Sequence, residues 1–105
     1  MPLSSGGELL GNGHRMRVLF TWSAAKAIRN LAKHRVSFEE AATVLFDPLE
    51  LTDADPVVPD RSISVGMSDR SRMLVVVYWE TSAMIRIISA REATRRERRT
   101  YEEGV

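Results

Sequence analysis

The stretch Met73 to Glu80, MLVVVYWE, limits the folds open to this chain more than any other. Seven consecutive apolar or aromatic side chains, three of them adjacent valines, favour extended backbone. The run is far short of the ~20 residues a membrane helix needs, so it reads as a buried strand. Turn-forming SDRSR precedes it and TSA follows it. Connections that short join antiparallel neighbours, so the flanking apolar segments must lie on either side as a three-stranded meander. One of these is the alternation Arg61, Ile63, Val65, Met67, and the other is MIRIIS from Met84.

The rest of the chain must cover the apolar face of that meander. Met16, Val18, Phe20 and Trp22 alternate as a half-buried strand. Ser23 is placed to cap a helix in which Ala24, Ala27, Ile28, Leu31 and Ala32 form one apolar stripe, with Lys26, Arg29 and Lys33 off it. After HRV, Ser37 and Glu40 have capping-box spacing, and Phe38, Ala41, Ala42 and Leu45 mark a second helix that Pro48 closes. Residues 47–60 hold three prolines and five acids, a surface loop with room for one short strand. A last helix is expected from about Ala90 to Glu103. The order β-α-α-β-β-β-α predicts an α+β domain spanning residues 15–105. Gly- and Ser-rich residues 1–14 read as a flexible tail, with Met16 as an alternative start.

Cysteine is absent, which removes disulfides and thiolate metal sites. The first residues have neither a basic n-region nor a continuous apolar core, so a secretory signal is not expected, and a cytoplasmic location away from the membrane is. The net charge of +1 conceals segregation: residues 14–37 hold six Lys/Arg and no acid, and residues 38–60 hold seven acids and no base. Such blocks create local fields of opposite sign, the basic ones suited to an anionic polymer.

On the last helix, Ala90, Ala93, Thr94, Glu97 and Tyr101 share a stripe, so Glu97 is expected to face inward and to need a partner. Arg86, set among apolar strand residues, is the expected one. From Arg86 onward there are six arginines and no lysine. The guanidinium fork suits phosphate, yet i, i+4 pairs such as Glu92 with Arg96 also fit a plain solvated helix.

Three blocks, FTWSAAKAIRNLAKHRVSFEEAATVLFDP, RSISVGMSDRSRMLVVVYWE and IRIISAREATRRERRTYE, together resemble the BrnT toxins of bacterial type II toxin–antitoxin systems over nearly all of Arg17 to Glu103. Arg35 stands where the family usually has glycine, and Ser23 where an acid is common. The resemblance implies a RelE-like fold and metal-independent cleavage of RNA, with no cofactor: the ribose 2′-hydroxyl attacks the adjacent phosphate, and cations stabilise the charge that develops. It also implies a cognate BrnA-type antitoxin with a ribbon-helix-helix domain, with DNA contacted only through the antitoxin complex.

The candidate catalytic residues are then Arg61, Arg86 and Arg91 for phosphate charge, Glu97 as a base or as the group orienting an arginine, and Tyr101 and His34 for proton transfer. Each has an ordinary structural alternative. Lys26, Lys33, Arg95 and Arg98 are candidates for general RNA attraction. Trp22 and Trp79 are expected in the core. A non-catalytic nucleic-acid-binding or protein-interaction module of the same fold is the alternative function.

Overall fold

The computed structural model describes residues 8–10 and 18–104. Its elements are β1 (Glu8–Leu10), β2 (Leu19–Thr21), α1 (Ala24–His34), α2 (Phe38–Val44), β3 (Leu51–Ala54), β4 (Ser62–Met67), β5 (Met73–Glu80), β6 (Met84–Glu92) and α3 (Arg95–Glu103). The α+β class and the antiparallel meander β4-β5-β6 are as expected, and β3 is the short strand allowed for in the acidic loop. All strands join one sheet in the order β1-β2-β6-β5-β4-β3, in which β2 runs parallel to β6. The strand Glu8–Leu10 lies inside the segment expected to be a tail and pairs with β2. The remainder of that segment, and Met16, lie outside the described residues.

Helices α1 and α2 cover one face of the sheet. Phe20, Leu74, Val76, Tyr78, Ile85, Ile87 and Ala90 point into this core and meet Val36, Phe38, Ala41, Val44 and Leu45 from the helical side. Trp22 joins them, edge-on to the Phe38 ring. Both predicted serine caps form: Ser23 Oγ accepts the Lys26 N–H and Ser37 Oγ the Glu40 N–H. Glu40 does not complete a capping box, because its carboxylate turns to Arg72 and Ser68.

Two expectations for the helices are corrected. Ile28 and Leu31, placed by periodicity on the inward stripe of α1, are 70% and 50% exposed, whereas Asn30 is buried. The Asn30 amide donates to the carbonyls of Val36 and Ala90 at 3.0 and 2.8 Å, and its oxygen accepts the Ala90 N–H at 3.1 Å. That side chain ties α1 to β6 and to the start of α2 by satisfying backbone groups which would otherwise be buried unpaired. The other correction concerns the last strand. It continues through Arg91 and Glu92, so Ala90 and Arg91 are strand residues and Thr94 is the N-cap of α3.

A bulge governs which side chains of β6 share a face. Ile87 pairs with Tyr78 and Ser89 with Val77, which leaves Ile88 as an extra residue. In an unbroken strand, residues five apart point to opposite faces. The inserted residue restores the match, so Arg86 opposite Trp79 and Arg91 opposite Val75 both point away from the core.

Candidate active site on the open face of the sheet

The face opposite α1 and α2 carries Ile63 and Val65 from β4, Val75, Val77 and Trp79 from β5, and Arg86 and Arg91 from β6. Helix α3 lies over part of it, against β4. At the uncovered end a cavity of about 330 Å³ is lined by Val58, Asp60, Arg61, Trp79, Arg86 and Ile88. Arg61 enters from the loop before β4 and Arg86 from β6, two segments far apart in the chain. Neither forms an ion pair with another described residue. Half-buried guanidinium groups that form no ion pair with a described residue attract anions, here against the opposing charge of Asp60 in the same cavity.

Trp79, expected in the core, is 44% exposed and lines this cavity beside its cross-strand neighbour Arg86. Alternation alone distinguishes it from Tyr78: the two are adjacent in a strand, so only one can point inward. Tyr78 takes the core, its hydroxyl 2.7 Å from Ser64 Oγ. Asp60 is the other cavity residue that the sequence reading passed over, hidden among the acids of the loop.

Arg91 and Glu97 meet further along the same face. The expected partner of Glu97 was Arg86; the structure gives it Arg91 instead, through a two-pronged bond of 2.8 and 2.9 Å. Glu97 Oε1 also accepts the Thr94 N–H while Thr94 Oγ1 accepts the Glu97 N–H, so a complete capping box starts α3. The Arg91 hydrogen bonds, with help from the Thr94 N–H, outweigh partial burial and hold the Glu97 carboxyl down to about 2. Arg91 lies five residues from Arg86 along β6, on the order of 16 Å at a strand's rise. Its partner Glu97 lines a neighbouring groove of about 550 Å³ with Leu51, Thr52, Asp53, Ile63, Val65, Arg96 and Thr100.

Tyr101 closes the far end of α3. Its hydroxyl donates to Asp47 Oδ2 at 2.6 Å, and the same oxygen accepts the Met67 N–H at 2.8 Å. Gly66 permits this approach, since a Cβ there would fall 3.2 Å from Asp47 Oδ2 and 3.0 Å from Val44 Cγ1. The bond to Asp47 pushes the Tyr101 hydroxyl up to about 12. Burial raises the Asp47 carboxyl, but the Tyr101 hydroxyl and the N–H groups of Met67 and Leu49 bring it below its ordinary value.

Arg95 and Arg98 are exposed on α3. His34, Lys26 and Lys33 belong to α1, which packs on the covered face, so the sheet stands between them and the Arg61–Arg86 cavity. The structure thus joins Arg61 with Arg86 and Arg91 with Glu97, and keeps Tyr101 and His34 apart from both pairs.

The structure is thus an α+β domain with two arginines and a tryptophan lining a cavity on the uncovered face of its sheet. The family model for the ribonuclease toxin BrnT of type II toxin–antitoxin systems matches residues 22–97. The chain belongs to that family, whose toxins act on RNA and are paired with an antitoxin. The crystal structure of the Brucella abortus ribonuclease toxin BrnT has the same fold, with a TM-score of 0.54 and 23% identity over 70% of this chain and 94% of that one. No curated protein matches the chain.

Proposed function

We propose that the chain is a metal-independent endoribonuclease that arrests translation and growth by cutting RNA in the Arg61–Arg86 cavity. The observation that carries this reading is the meeting, in one cavity of a ribonuclease-toxin domain, of an exposed tryptophan with two arginines that have no ion-pair partner among the described residues. The guanidinium groups hold the scissile phosphate, and the Trp79 ring offers a face on which an unpaired base stacks. A bond forms between the 2′-oxygen and phosphorus as the bond from phosphorus to the 5′-oxygen breaks. Asp60, the carboxylate of the cavity, takes the proton from the 2′-hydroxyl, and water protonates the departing 5′-oxygen. The products are a 2′,3′-cyclic phosphate and a 5′-hydroxyl. Arg61 and Arg86 stabilise the additional negative charge of the phosphorane.

Glu97, held ionised by Arg91, is a poor proton acceptor and acts by fixing that arginine and the start of α3. Tyr101, whose hydroxyl is already given to Asp47, is a structural tie. Arg91, Arg95 and Arg98 extend the cationic track for flanking phosphates. The antitoxin of this reading carries a ribbon-helix-helix domain, through which the complex reaches DNA.

Purified protein incubated with RNA in EDTA, followed by end analysis, tests the proposal. Fragments ending in 2′,3′-cyclic or 3′-phosphate, lost in Arg86→Ala and reduced in Asp60→Asn, are expected. Intact RNA from the wild type, with binding that weakens as salt rises, would instead support the non-catalytic module.

A further inference from the structure

Helix α1 presents to solvent the side of itself that the sequence marks as apolar. Ile28 and Leu31 are 70% and 50% exposed, one turn apart, and with Ala32 and Arg35 they border a shallow depression of about 740 Å³. Large aliphatic side chains left together on an otherwise charged helix indicate a contact surface more often than a stray exposed residue does. Cations adjoin the stripe: Lys26, Arg29 and Lys33 share the neighbouring exposed side of the helix, and Arg35 stands at its end. Among residues 24–35 there is no acid.

Arg35 links this stripe to a second feature. With Arg70 and Arg72 it lines an adjoining cavity of about 320 Å³. Arg72 is occupied by the buried Glu40 carboxylate, to which its Nε donates at 3.0 Å. Arg35 and Arg70 are exposed and have no carboxylate partner among the described residues. Arg35 also occupies the left-handed C-cap of α1, with φ 59°, where its N–H bonds the Leu31 carbonyl at 3.0 Å. Glycine meets that conformation without strain, whereas a side chain costs on the order of 1 kcal/mol. The arginine is thus kept at a strained position, where it adds charge to the end of an apolar stripe.

These features discriminate among occupants. RNA would use the cations and gain little from Ile28 and Leu31. A second copy placed about a twofold axis would oppose Lys26, Arg29, Lys33 and Arg35 with the same charges, which is repulsive. A helix with two or three apolar anchors and acidic flanks satisfies both the stripe and its rim. We infer that the solvent face of α1, from Lys26 to Arg35 with Arg70 beside it, docks an acidic amphipathic helix of the antitoxin. The inference rests on the toxin–antitoxin reading and adds where the partner is held: across the sheet from the Arg61–Arg86 cavity.

The test uses a purified BrnA-type antitoxin that binds this chain, titrated against wild type, the double variant Ile28→Glu with Leu31→Glu, and Arg35→Glu. All three are checked for folding by thermal melts, and RNA cleavage is measured in parallel. The double variant is expected to bind the antitoxin ~100-fold more weakly and Arg35→Glu ~10-fold more weakly, with cleavage of RNA unaltered. Antitoxin affinity within about threefold of wild type for both variants would overturn the inference. So would a loss of RNA affinity alone, which assigns the face to nucleic acid, or a change in self-association alone, which assigns it to a second copy. Antitoxin binding that depends on Leu31 in a wild type that leaves RNA intact would support the docking face and defeat the cleavage reading. Active cleavage with binding indifferent to α1 would do the reverse.

Discussion

The covered face and the open face of this sheet treat their polar groups in opposite ways. On the covered face, Asn30 fills three backbone hydrogen bonds. Nearby, the buried Glu40 carboxylate receives Arg72 and the Ser68 hydroxyl. Their strength lowers the Glu40 carboxyl below its ordinary value against the opposing effect of burial. A polar group in low dielectric is expensive unless satisfied, so this side holds its polar groups in fixed pairs. On the open face, Arg61 and Arg86 stay half-exposed beside Trp79, with no ion pair among the described residues. Solvent makes that arrangement tolerable, and it leaves two cations free for a ligand. On the proposed reading, the pairing state of an arginine, more than its presence, separates scaffold from site.

If that contrast is sound, removing a cation from the open face should cost activity and not stability. Arg86→Ala is expected to lower RNA cleavage roughly 10²- to 10³-fold while the melting temperature stays within a degree or two, the magnitude typical of losing one charge-stabilising donor. A collapse of the fold would show that Arg86 belongs to the scaffold. The reverse outcome is expected on the covered face. Asn30→Ala leaves buried N–H and carbonyl groups of Ala90 and Val36 unpaired and should destabilise by about 3 kcal/mol, readable in urea unfolding. A loss under 1 kcal/mol would mean that water reaches those groups.

The Arg91–Glu97 pair lies between these extremes, on the open face yet closed by its own carboxylate. Glu97→Gln should cost about 1 kcal/mol near neutrality, since it removes a partly exposed ion pair while a glutamine oxygen can still accept the Thr94 N–H. The folded-state carboxyl sits at about 2 against an ordinary 4.5. Its contribution is therefore complete above pH 4.5 and fades as pH falls toward 2. Melting curves of wild type and variant should converge across that interval, and a constant gap would argue against an ionised Glu97.

The smallest effect on cleavage is expected at Tyr101. Its raised hydroxyl stabilises the fold below pH 10 and loses that contribution as pH climbs through about 12. Tyr101→Phe should cost roughly 1 kcal/mol and leave cleavage within about twofold. A hundredfold loss of cleavage would return Tyr101 to the chemistry.

Local pattern made much of this legible. The turns around Met73–Glu80 and the serine caps at Ser23 and Ser37 depend on neighbours in sequence and appear as read, and the strand of Ile63 and Val65 forms, although these two side chains lie on the face away from α1 and α2. Periodicity failed where it had to choose an inside. The apolar stripe of α1 is real, but a helix can be held by a polar side chain such as Asn30 that bonds the core's backbone, and this turns Ile28 and Leu31 outward. It failed again at Arg91, because strand and helix patterns overlap at that junction and the bulge at Ile88 has no evident sequence signal.

The sequence by itself determined the elements, their caps and the meander, because hydrogen-bonding periods and turn chemistry act over a few residues. It also contained the cations. Only the tertiary structure decided which of them are neutralised. Arg72 and Arg91 found carboxylates on other elements, while Arg61 and Arg86 line one cavity with Asp60 and form no ion pair with a described residue. Such pairing depends on strand order and register, which place residues dozens of positions apart within a few ångströms, and no local period encodes that.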